Sequence, residues 1–473
     1  MKQIIKFSPL VLALALAGCG TLGPNYQRPV TELPASAIKP QGTHTVASVD
    51  WLVWWKSFLD PALNALLDEA AANSADLALA AARIDESRAT LALTHASRFP
   101  TVDASVNASR SQVSENAGKL QPGGNPRSYT VQPGLSAAFE IDFWGKFQRA
   151  DEAARARLLA LDANRGVVLA TLYANIAQSY FALRSLDAQV GLAEQTFATR
   201  KENVRLQTLR FKGGVVSDLD VEQATSEAAA IEATLVQAVQ NRRATEAVLA
   251  ALTGRSPAAI VQPIIMRGTA IDELFSRATV PAELPSDLLN RRPDVIAAEQ
   301  QLIATNADIG QAKAAYYPTI KLTASVGYES RQLSELFNPA SLFWNLASGL
   351  TQPLFRAGSI DAVVAGANAR KAQATAQYAQ AVQGAFKDVH DALNTIAANE
   401  ALVTIADRRI KSLREVLRLA NLRYTNGYTS YLEVLTAQRD LSQAESSVID
   451  AKRAQLSGVV ALYKAVGGGW AAP

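Results

Sequence analysis

The chain has 473 residues, with 46 Lys and Arg against 43 Asp and Glu, so its formal net charge is only +3. No basic patch stands out along it, which argues against a nucleic-acid-binding protein, because such proteins concentrate positive charge on one surface. Alanine is unusually abundant. It is the best helix former and its side chain lets helices approach closely, so we expect long, tightly packed helices.

The N-terminus has the pattern of an export signal. Two lysines precede an apolar run from Leu10 to Ala17, which is too short to remain as a membrane span. Cys19, the only cysteine, follows in Leu-Ala-Gly-Cys. This spacing resembles a bacterial lipobox, which implies that residues 1–18 are a signal peptide and that Cys19 is lipidated. Residue 20 is Gly rather than Asp, which among bacterial lipoproteins implies sorting to the outer membrane. A lone buried thiol is the alternative.

The rest of the chain repeats one plan twice. RFKGGVVSDLDVEQA at 210–224 returns as RYTNGYTSYLEVLTA at 423–437, with Arg, Gly, Ser, Leu, Val and Ala at identical offsets. Repeats of this kind predict one structural unit used twice. We therefore predict repeats at residues 19–253 and 291–473. They are joined by a proline-rich linker at 254–290, for which we expect little regular structure.

A stretch with strand character lies early in each repeat. Near residues 100–142 and 318–355, small or apolar residues alternate with polar ones, which predicts two β-hairpins. The strands have the length of membrane β-strands, and aromatic residues cluster at their ends as in an interfacial girdle. Soluble hairpins packed on a core are the alternative. Four strands cannot close a barrel in lipid without unpaired edges, so membrane-spanning strands would need several chains to share one barrel.

Long amphipathic helices are predicted after each hairpin. No proline interrupts residues 145–210, which as one helix would span about 100 Å. Beyond each copy of the repeated motif, apolar residues recur at spacings of three and four, which is typical of a coiled coil. These positions are Val221, Ala224, Ala228, Ile231, Leu235 and Ala238, and then Val434, Ala437, Leu441, Ala444, Val448 and Ala451.

Each copy of the repeated motif predicts a corner between two helices. A glycine suits the left-handed conformation at a helix C-terminus, and a serine followed three residues later by an acid suits an N-terminal capping box. The residues are Gly214, Ser217 and Asp220 in the first copy, and Gly427, Ser430 and Glu433 in the second. Well-capped corners are a sufficient structural explanation. The functional interpretation is that, in a symmetric oligomer, a ring of these corners closes or opens a tube.

Short signatures spread over the mature chain carry a family resemblance. They are the lipobox at Cys19, GPNYQRP at 23–29, WW at 54–55, DFWG at 142–145, LPSDLL at 284–289, RRPD at 291–294 and GGGW at 467–470. Together they resemble the TolC-like outer-membrane efflux proteins, in particular the lipidated NodT branch. The resemblance implies a mainly α fold with a membrane β-barrel segment. In the homotrimer, three sets of four strands would form one 12-stranded barrel, continued by an α-helical barrel through the periplasm.

The resemblance also implies a function. The chain would be the exit duct of a tripartite efflux pump, anchored by lipid in the outer membrane. It would passively conduct small molecules from a periplasmic adaptor protein and an inner-membrane pump, commonly of the resistance-nodulation-division class, which select the cargo. One alternative is the outer-membrane conduit of a protein secretion system. Another is a periplasmic coiled-coil scaffold without a pore, against which the paired strands argue.

In that family the helical corners form the gate. By position the resemblance assigns five candidates: Asp220, Tyr424, Glu433, Leu432 and Arg439. Asp220 corresponds to an acid that links helices, and Tyr424 to its aromatic partner. Glu433 corresponds to a pore-facing acid, Leu432 to a constriction and Arg439 to a further linking residue. Thr436 stands where many relatives carry a second acid, so a double acidic ring is not expected.

No pattern in the sequence predicts catalysis, a cofactor or a metal. His44, His95 and His390 are far apart and lack a metal-binding spacing. VGGGW at 466–470 lacks the Lys-Ser/Thr of a phosphate-binding loop and is interpreted as the end of a helix. No nucleophile elbow accompanies the serines. We therefore expect no enzymatic activity, no cofactor, no bound metal and no nucleic-acid partner.

Overall fold

The computed structural model describes residues 20–30, 45–46, 50–114, 116, 125–281 and 288–470. The described residues fall into two units. Unit 1 takes them from Met1–Val30, Ile84–Ala160 and Ala298–Tyr378. Unit 2 takes them from Thr31–Arg83, Leu161–Ala297 and Ala379–Pro473. The predicted signal peptide and Cys19 lie outside the described residues.

The long elements follow the two-repeat plan. The helices are α1 (Pro61–Asn73), α2 (Ala75–Ala96), α3 (Lys146–Lys212), α4 (Asp218–Leu252), α5 (Pro293–Ala314), α6 (Ser359–Thr425) and α7 (Tyr431–Ala465). The strands are β1 (Thr101–Gln112), β2 (Arg127–Ile141), β3 (Thr319–Tyr328) and β4 (Leu342–Thr351). Helices α3 and α6 both have 67 residues, and α4 and α7 both have 35. The predicted hairpins and long helices are thus confirmed in both halves.

In unit 1 the four strands form one antiparallel sheet in the order β1-β2-β3-β4. The β2–β3 pairing joins the two hairpins, with Glu140 opposite Lys321. Because successive side chains point to opposite faces, the register gives the sheet one polar and one apolar face. The polar face includes Asp103, Ser105, Asn107, Ser136, Ser325 and Asn345, and the apolar face includes Val102, Val106, Leu135, Val326, Trp344 and Leu346.

Much of the apolar face is left uncovered by the residues that the structure describes. Trp344 and Leu346 are 75% and 74% exposed, although burial of such side chains is strongly favoured in water. The outer strands β1 and β4 each pair on one side only within the described residues. An apolar face and two open edges suit strands that meet lipid and complete a barrel with other copies of the chain.

Aromatic side chains dominate the core of unit 2. The Trp54 ring stacks on Tyr463 with 5.1 Å between centroids, and Phe58 packs on Phe181 at 5.0 Å. The glycines after α7 end that helix beside this core, where the Gly469 amide donates to the Trp51 carbonyl at 2.8 Å. The interpretation of VGGGW as a helix end is therefore confirmed.

The segment at 254–290 is more ordered than expected. It contains the short helices Pro257–Val261, Ile271–Arg277 and Leu288–Arg291, and the strand Val280–Pro281, which pairs in parallel with Thr45–Val46. The expectation of little regular structure was wrong because the prolines are spaced by apolar residues. Ile265, Ile271 and Leu274 are buried in the unit 2 core, and this burial stabilises short helices that would not form alone. Residues 282–287 lie outside the described residues.

A fully buried carboxylate fastens α1 to this core. Asp60 accepts hydrogen bonds from the Ala62 and Leu63 amides, at 2.8 and 3.1 Å, as the N-cap of α1. It also accepts from the Tyr180 hydroxyl at 2.8 Å and the Thr269 amide at 2.9 Å. Its four donors come from three separate parts of unit 2, so Asp60 holds those parts together.

We expect Asp60→Ala to destabilise the protein by about 3 kcal/mol, because the N-cap is lost and buried donors are left unpaired. Asp50→Ala is the matched control, since Asp50 is exposed and caps the short helix Trp51–Phe58 through one side-chain bond, from the Leu52 amide at 3.0 Å. Thermal melting in detergent should show a clear drop for the Asp60 variant and a small one for the control. Equal drops would contradict the role given to Asp60.

Candidate functional site

The two repeated corners lie between α3 and α4 and between α6 and α7. Gly214 and Gly427 have φ angles of +72° and +77°, which confirms the predicted left-handed conformation. In both corners the amide after the glycine bonds back to a helix carbonyl at 2.9 Å, which closes the last turn of the helix. These bonds run from Val215 to Arg210 and from Tyr428 to Arg423.

The starts of the following helices differ between the corners. Ser217 and Asp220 form the predicted link, in which the carboxylate accepts from the Ser217 amide at 3.1 Å and hydroxyl at 2.9 Å. Ser430 also has the extended conformation of an N-cap. However, Glu433 accepts from the Thr429 hydroxyl instead and lies 3.3 Å from the Arg423 guanidinium.

The second capping box predicted from the sequence is therefore wrong. The Thr429 hydroxyl and the Arg423 guanidinium lie within reach of the Glu433 carboxylate and bind it in place of the Ser430 amide. A hydrogen bond to a charged partner is stronger than one to a neutral amide. The result is that Glu433 links the end of α6 to the start of α7 across the turn.

Tyr424 joins α6 to α3 above the corner. Its hydroxyl donates to Gln207 Oε1 at 3.0 Å, and Gln207 is buried. The ring lies 5.4 Å from the centroid of Tyr431, and the Arg210 guanidinium is 5.4 Å from the centre of the Tyr424 ring. Within the described part of the chain, Tyr424 and Asp220 are not brought together, because Asp220 caps its own helix. A contact between them across subunits stays a prediction.

Arg439 joins α7 to α4 through an acid that the sequence analysis missed. Its Nε donates to Glu227 Oε1 at 2.7 Å, and a second guanidinium nitrogen bonds the same carboxylate. Glu227 is only 5% exposed. The hydrogen bond to Glu227 raises the pKa of Arg439. The sequence could have indicated Glu227, because it lies beside Ala224 and Ala228 of the predicted seam. A charge that is buried at such a seam needs a charged or hydrogen-bonding partner.

A buried cation lies beside this pair. Arg200 on α3 is 3% exposed and donates to Gln438 on α7. Burial lowers the pKa of Arg200, and the charge of Glu227 opposes that effect. Glu227 thus faces two arginines from two different helices. The structure therefore places a compact polar network above the corners, which joins α3, α4 and α7.

Leu432 and Thr436, which the sequence analysis also named, lie on α7 and contact no other helix through a hydrogen bond that the structure describes. Leu432 is 53% exposed, so its role as a constriction depends on neighbouring subunits and stays a prediction. The Thr436 hydroxyl donates to the Leu432 carbonyl at 2.9 Å. The seam positions of α4 and α7 are all buried or half-buried, which confirms the predicted coiled-coil spacing.

The histidines of the described residues have other partners than metals. His95 Nδ1 lies 3.0 Å from Asp151, and His390 Nε2 lies 3.0 Å from the Asn394 amide. His44 lies outside the described ranges. No cluster of three potential metal ligands occurs in the part of the chain that the structure describes.

Comparison with known proteins gives one consistent result. A family model described as outer membrane efflux protein matches residues 66–255 and 284–468. The cation efflux system protein CusC of Escherichia coli K12 is 33% identical over 98% of this chain and 99% of its own length. The probable outer membrane lipoprotein SilC of Salmonella typhimurium is 31% identical over 98% and 99%. The open-state crystal structure of the Neisseria gonorrhoeae channel MtrE superposes with a TM-score of 0.82 and 30% identity, over 95% of this chain and 98% of that one.

Proposed function

The chain belongs to the outer membrane efflux protein family, and we propose that it is a passive exit duct whose gate is formed by the two corners of each subunit. Proteins of this family are outer-membrane channels that form trimers, extend into the periplasm and work with an adaptor protein and an inner-membrane pump. The polar face of the four-stranded sheet then lines the pore, and the apolar face meets lipid.

The proposal of a gate is supported by the hydrogen bonds and ion pairs that join the helices next to the corners. The Tyr424–Gln207 bond ties α6 to α3, and the Glu227–Arg439 pair ties α7 to α4. Opening requires one helix pair to move against the other, so these bonds must break or rearrange. The Arg439 side chain is 59% exposed, but that of Glu227 is only 6% exposed and also faces the buried Arg200. An exposed ion pair contributes only about 0–1 kcal/mol, so the strength of this tie depends on the buried charges of Glu227 and Arg200.

Several features of the proposal depend on the resemblance. We propose that the pump is of the resistance-nodulation-division class and that the cargo is small molecules, selected by pump and adaptor upstream. We also propose that Cys19 is lipidated, as the lipobox implies and as the name of SilC states for that relative. The repeats at 19–253 and 291–473, joined at 254–290, remain the proposed division of the chain. The relatives are channel proteins, and we propose that this chain likewise performs no catalysis.

The charge at the corners gives the duct an electrical preference. Glu433 would repeat three times around a trimeric opening, and a ring of carboxylates favours cations in a pore. Because Thr436 is uncharged, α7 adds no second acid at that position. The preference is expected to be weaker at high salt, because the screening length falls from about 8–10 Å at physiological ionic strength to about 3 Å at 1 M.

Planar-bilayer recording of the purified mature protein, with its oligomeric mass measured in detergent, tests the proposal. We expect trimers with a small, mostly closed conductance, because the bonds above the corners hold the helices together. Monomers without conductance would show that the strands do not span a membrane, and a scaffold without a pore would then have to be considered. A large permanent conductance would contradict the closed gate while leaving the channel itself intact.

A further inference from the structure

The segment after the predicted lipidation site is held firmly by unit 1 although it forms no helix or strand. Residues 20–30 contain one bend, at Gly23, and otherwise have no regular secondary structure. The Leu22 amide donates to the Trp144 carbonyl at 3.1 Å, and the Leu22 carbonyl accepts from Arg149 Nε at 3.0 Å. Arg149 also donates to the Asn25 side chain at 2.8 Å. This end of the segment is therefore fixed where β2 ends and α3 begins.

The other end of the segment is fixed by a carboxylate of α5. Tyr26 donates its hydroxyl to Glu299 at 2.9 Å, and Arg28 binds both oxygens of Glu299 at 2.7 and 2.5 Å. Glu299 is 8% exposed, so its charge is matched by these partners away from bulk water. The bond to Glu299 raises the pKa of Arg28, while burial and then the same acid raise the pKa of Tyr26.

Between these ends the backbone lies against α5 without room for side chains. A Cβ on Gly23, whose φ is +94°, would lie 2.5 Å from the Cα of Gly310. A Cβ on Gly310 would lie 2.4 Å from the Leu22 carbonyl. Asn306 on α5 donates to the Pro24 carbonyl at 2.7 Å. The surface of α5 is thus shaped to receive this segment.

The contacts lie at the base of the two central strands. Helix α3 starts five residues after β2 ends, and α5 ends five residues before β3 begins. The Trp144 indole donates to the Pro318 carbonyl at 2.8 Å, so the two strand ends are also joined directly. Residues 20–30 bridge the helices that continue these strands. One of those helices belongs to each half of the chain.

We propose that residues 20–30 are a strap that couples the lipid on Cys19 to the base of the β2–β3 pair, with Glu299 as the positioning residue that fastens it. The inference rests on the proposed lipidation of Cys19. A lipid alone provides only a modest anchor to a membrane. Thr21 packs against Gly145, four residues beyond β2, so a lipid two residues earlier in the chain holds the strand bases close to the membrane surface. The strap thereby favours insertion of the strands and their assembly into the shared barrel.

A double-mutant cycle tests the strap. The full chain is exported with Cys19 and Glu299 intact, with Glu299→Gln, with a non-lipoprotein signal and Cys19→Ser, and with both changes. The fraction of outer-membrane protein recovered as trimer after mild detergent extraction is measured. With lipid present we expect Glu299→Gln to lower this fraction about tenfold, as for a buried pair that loses a charge. Without lipid we expect Glu299→Gln to cause no further loss of trimer, because the strap then no longer connects a membrane anchor to the strand bases.

Two controls keep the outcome clear. Tyr26→Phe removes one bond to Glu299 and should cause a smaller loss, about threefold, again only in the lipidated protein. Tyr316→Phe removes the bond from Tyr316 to Asp361 elsewhere in unit 1 and should change nothing. Equal losses from Glu299→Gln with and without lipid would overturn the proposal, since the pair would then only stabilise unit 1. No loss in either background would also overturn it.

The mass of the N-terminal peptide separates the two proposals. If the wild-type peptide has no lipid on Cys19, the lipidation proposal fails and the strap has no anchor to couple. If the lipid is present and the cycle shows no coupling, only the strap fails. Conductance of assembled trimers should be the same for the wild type and Glu299→Gln, because the strap contacts belong to unit 1 and the gate residues to unit 2.

Discussion

Glu227→Gln is expected to raise the mean conductance of the trimer in planar bilayers about tenfold. The substitution keeps the shape of the side chain but removes the charge that faces Arg439 and Arg200. Two arginines, one of them buried, then lack their counter-charge, and the close packing of α4 against α7 loses its main polar contact. A change of about 1.4 kcal/mol in the balance between open and closed states shifts their ratio tenfold, and we expect the loss of the counter-charge of the buried Arg200 to supply a change of about that size.

A matched control for this variant is Glu445→Gln. Glu445 on α7 pairs with Arg414 on α6 at 2.9 Å, but the Glu445 side chain is 23% exposed, against 6% for Glu227, and that of Arg414 is 66% exposed. An exposed pair contributes little, so its loss should leave the conductance near that of the wild type. If Glu227→Gln trimers of normal mass also keep the wild-type conductance, the buried pair does not hold the gate closed. If both variants raise the conductance equally, the effect is a general weakening of the contacts between the helices and is not specific to Glu227.

Local patterns in the sequence were sufficient to predict the helices, the strands and the two corners. The alternation at Thr101–Gln112 predicts a strand because a pleated strand has a period of two, and the structure has that strand with the same bounds. Gly214 and Gly427 predict helix ends because other residues rarely adopt a positive φ. Each of these inferences needs only neighbouring residues. They therefore hold without knowledge of the tertiary structure.

The polar network above the corners could not be predicted in the same way. Glu227 and Arg439 are 212 residues apart in sequence, and Tyr424 and Gln207 are 217 apart. Their contacts depend on how α3, α4, α6 and α7 are aligned along one another, which a single sequence does not define. The same limit applies to the GPNYQRP signature at 23–29. The sequence marks it as a family signature, and only the structure shows that it docks on α5.

Intermediate cases show which physical factor prevailed. The sequence suggested equal capping boxes at both corners, but the nearby Arg423 guanidinium and Thr429 hydroxyl bind the Glu433 carboxylate instead. The proline-rich composition of 254–290 suggested a linker with little regular structure, but Ile271 and Leu274 are buried in the core, and this burial stabilises the short helix that they belong to. In both cases a tertiary contact outweighed a local preference.

Combining Tyr424→Phe with Asp220→Ala is expected to raise the single-channel conductance of the purified trimer. Loss of the Tyr424 hydroxyl leaves the buried Gln207 side chain without this donor, at a cost of about 1–3 kcal/mol. Loss of the Asp220 carboxylate removes the cap at the start of α4, at a cost of about 0.5–2 kcal/mol. Both changes weaken the corners in the closed state, in which the helices are held together.

The matched control for the tyrosine is Tyr428→Phe. Tyr428 lies in the same turn and is 79% exposed, so loss of its hydroxyl should leave the conductance unchanged. Unchanged conductance of the double variant, in trimers of normal mass, would disprove the assignment of the gate to these two residues.

The single variants then distinguish two kinds of gate. Within one subunit Tyr424 and Asp220 have separate partners, so their effects on the free energy of opening should add if each acts through its own helix. If the two side chains meet across the subunit boundary of the closed trimer, the effects will be coupled, and the double variant will open less than the sum predicts. Single-channel records of the two single variants and the double variant measure this coupling. Additive effects would place the gate in the contacts of each subunit with itself, whereas coupled effects would place it between subunits.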